Sequence, residues 1–326
     1  MPPSKESEAL SDLFKIIASK FPQDGDPFLS RAVYDNVHKA AAECPGVTYG
    51  EEDDVAGRPA LWVRPMGATP NKVMLFMHGG GYSFGSPNSH RKLTAHLAKA
   101  CNVNALSIDY RMTPEHPFPA PLDDCINAYK WLLDKGYTAD SIVLAGDSCG
   151  GGLVSAVPLE ARKRGLPLPG ASVSMSPWYD LTLGSDSLER NKDKDVLGTK
   201  AFVNMLADLY TNGNQELRKD PVLSPLFGDL QGLNPHWISV AGHDTLLDDG
   251  IKFAERAKKA GVEVHLVEAE GQQHVFEFLA GKAPEADESI RNIGQMDRYQ
   301  KATCKTRKEL TNDLKKLKHP TVLKEL

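Results

Sequence analysis

A serine flanked by glycines is the first feature of this sequence that could do covalent chemistry. Ser148 is the centre of GDSCG, residues 146–150, which follows an apolar run at 142–145 and precedes a helix-compatible run at 152–164. Glycines remove the side chains that would clash in a tight strand-to-helix turn, and such a turn exposes a strained nucleophile. A phosphate-binding loop is a weaker interpretation because no lysine follows at the required spacing. The motif therefore predicts Ser148 as the nucleophile of an acyl transfer.

Consecutive glycines after another apolar run could stabilise developing negative charge. The sequence HGGG begins at His78, directly after residues 73–77. Main-chain N–H groups of such a loop can turn toward a ligand, as an oxyanion requires. Together with the N–H of Cys149, just after the serine, they predict a three-donor oxyanion hole.

A serine nucleophile needs a base, and in α/β-hydrolases the order along the chain is serine, acid, histidine. The histidines after Ser148 are His236, His243, His265, His274 and His319. His236 precedes a predicted strand, His265 lies within one, and His319 lies in a charged tail. His274 lies in a loop just after the predicted strand 262–267, where an imidazole can swing over the sheet edge. His274 is the predicted base.

The orienting acid is expected just after the predicted strand 237–241, where three aspartates lie. Asp244 is nearest the carboxyl end of that strand, where the ligand-facing loops of open α/β sheets collect. His243 is a rival by position, but an imidazole cannot supply the anionic partner. Asp248 and Asp249 fit better as carboxylates at the start of a helix. Asp244 is the predicted acid.

The elements that must position these residues alternate along the chain. Predicted strands lie at 60–63, 73–77, 105–108, 142–145, 172–176, 237–241 and 262–267. Several are continuous apolar runs, as is typical of strands buried on both faces of a parallel sheet. Helical patterns lie between them, for example at 125–135 and 251–260. The alternation predicts an α/β fold with a mostly parallel, doubly wound sheet flanked by helices.

Two segments depart from that alternation and predict a helical cap. The N-terminal part contains two amphipathic helical stripes; the first consists of Leu10, Leu13, Phe14, Ile17 and Phe21, and the second of Phe28, Leu29, Ala32, Val33, Val37 and Ala41. The polar interval 183–220 contains an apolar helix near 202–210. The predicted division is a catalytic core of 46–182 and 221–303, a cap of 1–45 and 183–220, and a charged tail of 304–326.

Composition excludes several classes of partner. The 326-residue chain is 25% charged and 41% apolar, with a formal charge of −5 and no long basic block, which argues against nucleic acid binding. No apolar stretch approaches the ~20 residues that span a bilayer, so no stable membrane anchor is expected. Five scattered cysteines without CxxC spacing predict reduced thiols in a cytoplasmic protein. No cluster with ligand spacing indicates a metal or other cofactor.

The assembled motifs resemble the hormone-sensitive lipase family of α/β-hydrolases, also called the family IV esterases. The matching stretches are HGGGYSFGS from His78, DYRMTPEHPFPAPLDD from Asp109, GDSCGGGL from Gly146, DPVLSPLFGDL from Asp220 and SVAGHDTLLDDG from Ser239. The resemblance implies a Ser148–Asp244–His274 triad and an oxyanion hole from the backbone N–H groups of Gly80, Gly81 and Cys149. It also implies an α/β-hydrolase fold with a cap, and hydrolysis of small-molecule esters of short to medium acyl chains without a cofactor. Many members form dimers, so a homodimer is implied as well.

Three features depart from the family pattern. Cys149 replaces the usual alanine after the serine, and a thiol beside the nucleophile predicts sensitivity to mercurials. Thr245 replaces the usual proline after the acid. The tail from Cys304 extends past the usual core.

Two alternatives remain open at the level of sequence. The same site could act on a lactone, an aryl-acetyl compound or an amide. A receptor that binds a ligand without catalysis is the alternative from another class, and loss of the base would favour it. The presence of His274 favours the enzyme.

Overall fold

The computed structural model describes residues 3–22 and 25–295 of the chain. Its helices are α1 (Lys5–Lys20), α2 (Pro27–Tyr34), α3 (Pro87–Cys101), α4 (Ala120–Asp134), α5 (Cys149–Lys163), α6 (Ser187–Arg190), α7 (Lys200–Thr211) and α8 (Leu247–Lys259). Its strands are β1 (Val47–Val55), β2 (Arg58–Pro65), β3 (Val73–Met77), β4 (Asn104–Ile108), β5 (Ile142–Asp147), β6 (Ala171–Met175), β7 (His236–Ala241) and β8 (Val264–Ala269). Residues 284–295 are also helical. The predicted tail and His319 lie outside the described residues.

The strands form one mostly parallel sheet, which confirms the predicted fold class. Their order is β1-β2-β4-β3-β5-β6-β7-β8. The neighbours from β4 through β8 pair in parallel, while β2 pairs antiparallel with both β1 and β4. Every residue of β3, β6 and β7 is buried, as expected for strands covered by helices on both faces. The carboxyl ends of the parallel strands therefore meet at one edge, beside the loops that carry the predicted site.

The predicted strands are present, the last of them shifted by two residues to Val264–Ala269, and two other details were wrong. Strand β1 was missed because it lies at the edge of the sheet. Its residues Glu51 and Asp53 face solvent, so its sequence lacks an apolar run. His236 is the first residue of β7 and does not precede it; its N–H donates to the carbonyl of Glu263.

The first predicted N-terminal stripe packs as expected, and the second only in part. Helix α1 buries Leu10, Phe14 and Ile17. Helix α2 instead leaves Phe28 and Leu29 exposed, at 70% and 55% of their surface. The chain passes into a 3₁₀ turn at Asp35–Lys39. That turn has three residues per turn instead of 3.6, so a single helical stripe cannot continue through it.

The segment between β6 and β7 carries the predicted apolar helix, which is α7. Its buried face includes Val203, Leu206 and Tyr210. The Tyr210 ring stacks on that of Tyr82 at a centroid distance of 3.7 Å. Tyr82 belongs to the glycine-rich loop after β3, so this insertion packs directly on a loop of the predicted site. Among the described residues, no helix is both long and apolar enough to cross a membrane.

Candidate active site

Ser148 lies in a sharp turn between β5 and α5, and its backbone is held in place from three sides. Its φ is +55°, a strained value for a residue other than glycine. Its N–H donates to the carbonyl of Met175 at 2.9 Å, while its own carbonyl accepts from the N–H groups of Gly152 and Trp178, each at 3.0 Å. These hydrogen bonds hold Ser148 in the strained conformation, which a turn without them would not keep.

The glycines on either side of Ser148 are required by the closeness of other backbone. A β-carbon on Gly146 would lie 2.5 Å from the carbonyl oxygen of Met77, and one on Gly150 would lie 2.6 Å from that of His78. No side chain fits in that space. The glycine spacing that indicated a nucleophile in the sequence is therefore the spacing that lets the turn pack against the end of β3.

His274 and Asp244 form a buried hydrogen-bonded pair. His274 Nδ1 lies 2.7 Å from Asp244 Oδ2, and the other carboxylate oxygen accepts from the N–H of Leu246 at 2.8 Å. With Nδ1–H donating to the carboxylate, His274 Nε2 is the nitrogen left to act as a base. The turn after the histidine is held by the N–H of Val275, which donates to Ser176 Oγ at 3.0 Å.

The surroundings of His274 favour its protonated form. Burial lowers the pKa of its imidazole, but the charge of Asp244 and the hydrogen bond to it outweigh burial and raise that pKa to about 9. The carboxylates of Asp195 and Asp147 act in the same direction, more weakly. A histidine with a raised pKa is a stronger base once it has lost its proton.

Five of the six predicted site residues line one cavity. Ser148, Asp244 and His274 line it, as do Gly80 and Gly81. The remaining lining residues are mostly apolar: Phe21, Tyr34, Phe84, Trp178, Asp195, Leu197, Gly198, Phe202, Val203, Leu206, Thr245 and Leu246. The cavity therefore brings a serine hydroxyl, an imidazole and glycine amides together inside a mostly apolar wall.

Gly80 and Gly81 have positive φ and lie where a β-carbon would not fit. Their φ values are +117° and +60°. A β-carbon on Gly80 would collide with the carbonyl of Phe84, and one on Gly81 would collide with Leu206 Cδ1. Both amides can thus approach a ligand closely.

Cys149 contributes to the same region from the first position of α5. A residue at this position has no intrahelical acceptor for its N–H, which leaves the amide available to a ligand. The side chain is fully buried and its Sγ accepts from the N–H of Tyr82 at 3.2 Å. Burial raises the pKa of the thiol to about 12. Since thiolate is the reactive form, burial makes this thiol less reactive than an exposed one, and sensitivity to mercurials stays a prediction.

The rival histidines serve other purposes. The ring of His236 is buried between the carbonyl of Asn234, 2.8 Å from its Nδ1, and Ser155 Oγ, 3.2 Å from its Nε2. The ring of His265 is half exposed and stacks on Trp237. Neither of them lines the cavity described above.

The rival aspartates are engaged in structural contacts at the start of α8. Asp248 pairs with Arg190. Asp249 accepts from the N–H groups of Tyr179 and Asp180, at 2.9 and 2.8 Å. Burial raises the pKa of Asp249 to about 7. Both carboxylates therefore hold the loop after β6 and the insertion against α8.

Several cavity residues were missed by reasoning from the sequence. Trp178 follows β6 at the carboxyl end of the sheet, a position that could have indicated it. Asp195 ends a run of alternating charges, 192–195, that resembles ordinary solvated surface, yet it is buried beside Asp244. No local pattern distinguishes it from its exposed neighbours.

Comparison with known proteins gives consistent results. A family model described as the alpha/beta hydrolase fold matches residues 74–278. An acetyl-hydrolase of Streptomyces hygroscopicus is 35% identical over 291 residues, which cover 89% of this chain and 95% of that protein. An esterase of Acinetobacter venetianus is 34% identical over 229 residues, which cover 70% of this chain and 75% of that protein. The crystal structure of an esterase from the bacterial hormone-sensitive lipase family matches with a TM-score of 0.87 and 37% identity, covering 92% of this chain and 99% of that one.

Proposed function

Because this chain belongs to the hormone-sensitive lipase family of alpha/beta hydrolases, we propose that its esterase chemistry is carried by Ser148, His274 and Asp244. The chain is an ester-hydrolysing enzyme, a serine carboxylesterase. The observation that carries the residue assignment is that these three side chains line one cavity, with His274 Nδ1 2.7 Å from Asp244.

The first half of the proposed reaction acylates the enzyme. Ser148 Oγ attacks the ester carbonyl carbon while His274 Nε2 accepts the hydroxyl proton, and Asp244 stabilises the imidazolium that forms. The tetrahedral intermediate then collapses. Its C–O bond to the alcohol breaks, and His274 returns the proton to the leaving oxygen. The products of this half are the free alcohol and an acyl ester on Ser148.

The second half releases the acid by the same groups. His274 takes a proton from water, whose oxygen attacks the acyl carbon. Collapse of the second intermediate breaks the bond to Ser148 Oγ, which recovers its proton from His274. The sum is addition of one water to one ester.

We assign the oxyanion hole to the backbone N–H groups of Gly80, Gly81 and Cys149. The positive φ of both glycines and the position of Cys149 at the start of α5 support this assignment. Loss of one such donor typically costs about 3 kcal/mol of barrier height.

The substrates that fit this site are small esters with short to medium acyl chains. The apolar cavity wall suits an uncharged acyl group, and Leu206 approaches Gly81 closely enough to limit its length. The acetyl-hydrolase among the relatives is named for the shortest such group.

The division into core and cap is part of the proposal. Residues 46–182 and 221–303 would form the catalytic core, and residues 1–45 and 183–220 the cap. In support, both cap segments supply cavity walls: Phe21 and Tyr34 come from the first, and Phe202, Val203 and Leu206 from the second.

We also propose a cytoplasmic homodimer. Cys44, Cys125 and Cys149 are buried thiols, the state expected in a reducing compartment. Strand β8 ends the sheet order, so its outer edge pairs with no described strand. Such an edge is a surface on which two copies can meet.

The residue assignment is tested with a p-nitrophenyl ester series, acetate to palmitate, on the wild type and Ser148→Ala. We expect the variant to lose at least about a thousandfold in kcat/KM, because no other group replaces the nucleophile. Ser141→Ala, at the other end of β5, is the matched control and should keep wild-type rates. Hydrolysis that persists in a folded Ser148→Ala variant would end the assignment.

A further inference from the structure

The segment between α6 and α7, residues 191–198, contacts both loops that carry the proposed acid and base; we call it the cap strap. Asn191 Nδ2 donates to the carbonyls of Gly242, at 3.1 Å, and Asp244, at 2.8 Å. Gln273, the neighbour of His274, accepts from the N–H of Val196 at 3.3 Å and donates to the carbonyl of Lys194 at 2.9 Å. The strap therefore bridges the acid loop and the histidine loop.

At the centre of the strap, Asp195 is buried with both carboxylate oxygens occupied. Its surface is 7% exposed. Oδ1 accepts from the N–H groups of Leu197 and Gly198, each at 2.8 Å. Oδ2 lies 2.8 Å from the N–H of Thr245 and 2.9 Å from its hydroxyl. Each carboxylate oxygen of Asp195 therefore has at least one hydrogen-bond donor.

The contacts between Asp195 and Thr245 use the backbone N–H and the hydroxyl of the threonine. A proline at position 245 would have neither group, so it could make neither contact. The packing here is close. A β-carbon on Gly198 would lie 2.6 Å from Thr245 Oγ1 and 2.8 Å from Asp195 Oδ2. Strap and acid loop thus form one tightly joined unit directly beside Asp244.

Three carboxylates raise the pKa of His274, and they come from three different elements. Asp244 comes from the loop after β7, Asp195 from the strap, and Asp147 from the end of β5. Burial lowers the pKa of His274, and these charges, Asp244 foremost, raise it above its ordinary value. Only Asp244 is hydrogen-bonded to the ring, so the influence of Asp195 on the imidazole is electrostatic.

We propose that Asp195 is a positioning residue for ester hydrolysis: through Thr245 it fixes the loop that carries Asp244, and its charge acts on the imidazole of His274. This inference rests on the proposed roles of Asp244 and His274. Under this proposal a residue of the cap affects the basicity of His274, in addition to the contribution of the cap to the cavity wall.

The test is the pH profile of kcat/KM for p-nitrophenyl acetate, from about pH 5 to about pH 10, on the wild type and Asp195→Asn. Asparagine keeps the shape but removes the charge. Its NH₂ group cannot accept the hydrogen bonds that one of the two carboxylate oxygens of Asp195 accepts. We expect the plateau to fall about tenfold. The midpoint of the acid limb should move to lower pH, because an imidazole with one fewer negative neighbour loses its proton more readily. A purely structural role would not move that midpoint.

Two further variants separate charge from contact. Asp193→Asn removes the same charge from an exposed position of the strap and should keep the wild-type profile. Thr245→Pro leaves the charge of Asp195 in place and removes both contacts, so it should lower the plateau without the same movement of the midpoint. It also tests the contact if Asp195→Asn fails to fold.

The proposal is overturned if Asp195→Asn keeps the wild-type plateau and midpoint, or if Asp193→Asn moves the midpoint equally. It is also overturned if Thr245→Pro leaves the plateau unchanged. These outcomes differ from a failure of the proposed function, which would appear as hydrolysis in Ser148→Ala. With Ser148→Ala inactive and Asp195→Asn indistinguishable from the wild type, only the strap inference falls.

Discussion

At the scale of single residues, the site combines an apolar wall with several carboxylates whose charge acts on His274. His274 is buried, which alone would keep its imidazole neutral. The ionised Asp244 at 2.7 Å reverses that tendency. The pair therefore behaves as one titrating unit, in which the proton on the imidazole is held by the carboxylate.

This charge balance predicts alkaline activity. The base works only when it is neutral, and its pKa is raised to about 9, so kcat/KM should increase with pH well above the ordinary histidine midpoint of about 6.5. Stopped assays in overlapping buffers measure the pH profile. A wild-type profile already flat by about pH 6 would contradict this prediction.

Replacing the proposed acid should remove most of the activity. Asp244→Asn should lower kcat by about 10⁴-fold because the imidazole loses its anionic partner and its preferred tautomer. The same stopped assays measure this loss.

At the scale of elements, helix α7 and the glycine loop after β3 line the cavity beside Ser148. Leu206 of α7 lies against Gly81, and Tyr210 of the same helix stacks on Tyr82. The helix is held in place by Arg218, whose guanidinium donates to Asp208 at 2.8 Å. Helix α7 thus touches the proposed oxyanion loop, and we expect it to limit the length of the acyl group that fits.

Shortening Leu206 should therefore change acyl selectivity. We expect Leu206→Ala to raise the ratio of kcat/KM for the hexanoate over the acetate ester by about tenfold, because each methylene accommodated in an apolar pocket contributes about 1–3 kcal/mol. Met205→Ala, one residue earlier and 44% exposed, is the matched control. The ratio is measured with p-nitrophenyl esters at one pH. An unchanged ratio in Leu206→Ala would show that another group limits the acyl chain.

At the scale of the whole molecule, the N-terminal helix is joined to the end of the described chain and to the histidine loop. The backbone N–H and the hydroxyl of Ser4 donate to Glu285 at 2.6 and 2.8 Å. Helix α1 also contacts the 3₁₀ turn Phe276–Leu279, two residues after His274. The first cap segment is therefore integrated with the core and contributes to its stability.

Truncating the buried side of α1 should destabilise the entire fold. Phe14 is 1% exposed, and its replacement by alanine should lower the free energy of unfolding by about 3–5 kcal/mol. Ile16, two residues on and 51% exposed, should change it by less than about 0.5 kcal/mol on the same replacement. Urea denaturation followed by circular dichroism and by esterase activity measures both variants. Loss of activity well before loss of secondary structure in Phe14→Ala would indicate that the cap unfolds alone.

The sequence by itself determined the features that short-range physics fixes. Apolar runs such as Val73–Met77 must be buried wherever they lie, and they predicted the parallel strands. Glycines around Ser148 and after His78 were informative because only glycine tolerates the backbone approaches found there. Chain order and position after a strand then selected Asp244 and His274 from their rivals.

Only the tertiary structure decided what depends on neighbours distant in sequence. The edge strand β1 has no apolar run. Phe28 of α2 is exposed, although the helical pattern of the sequence predicted that it packs on the core. Asp195 lies in a charged run typical of a surface and is nevertheless buried, and the donors to its Oδ2 come from Thr245, fifty residues later. Burial of a polar group is settled by partners that folding brings to it, and those partners leave no trace in the local sequence.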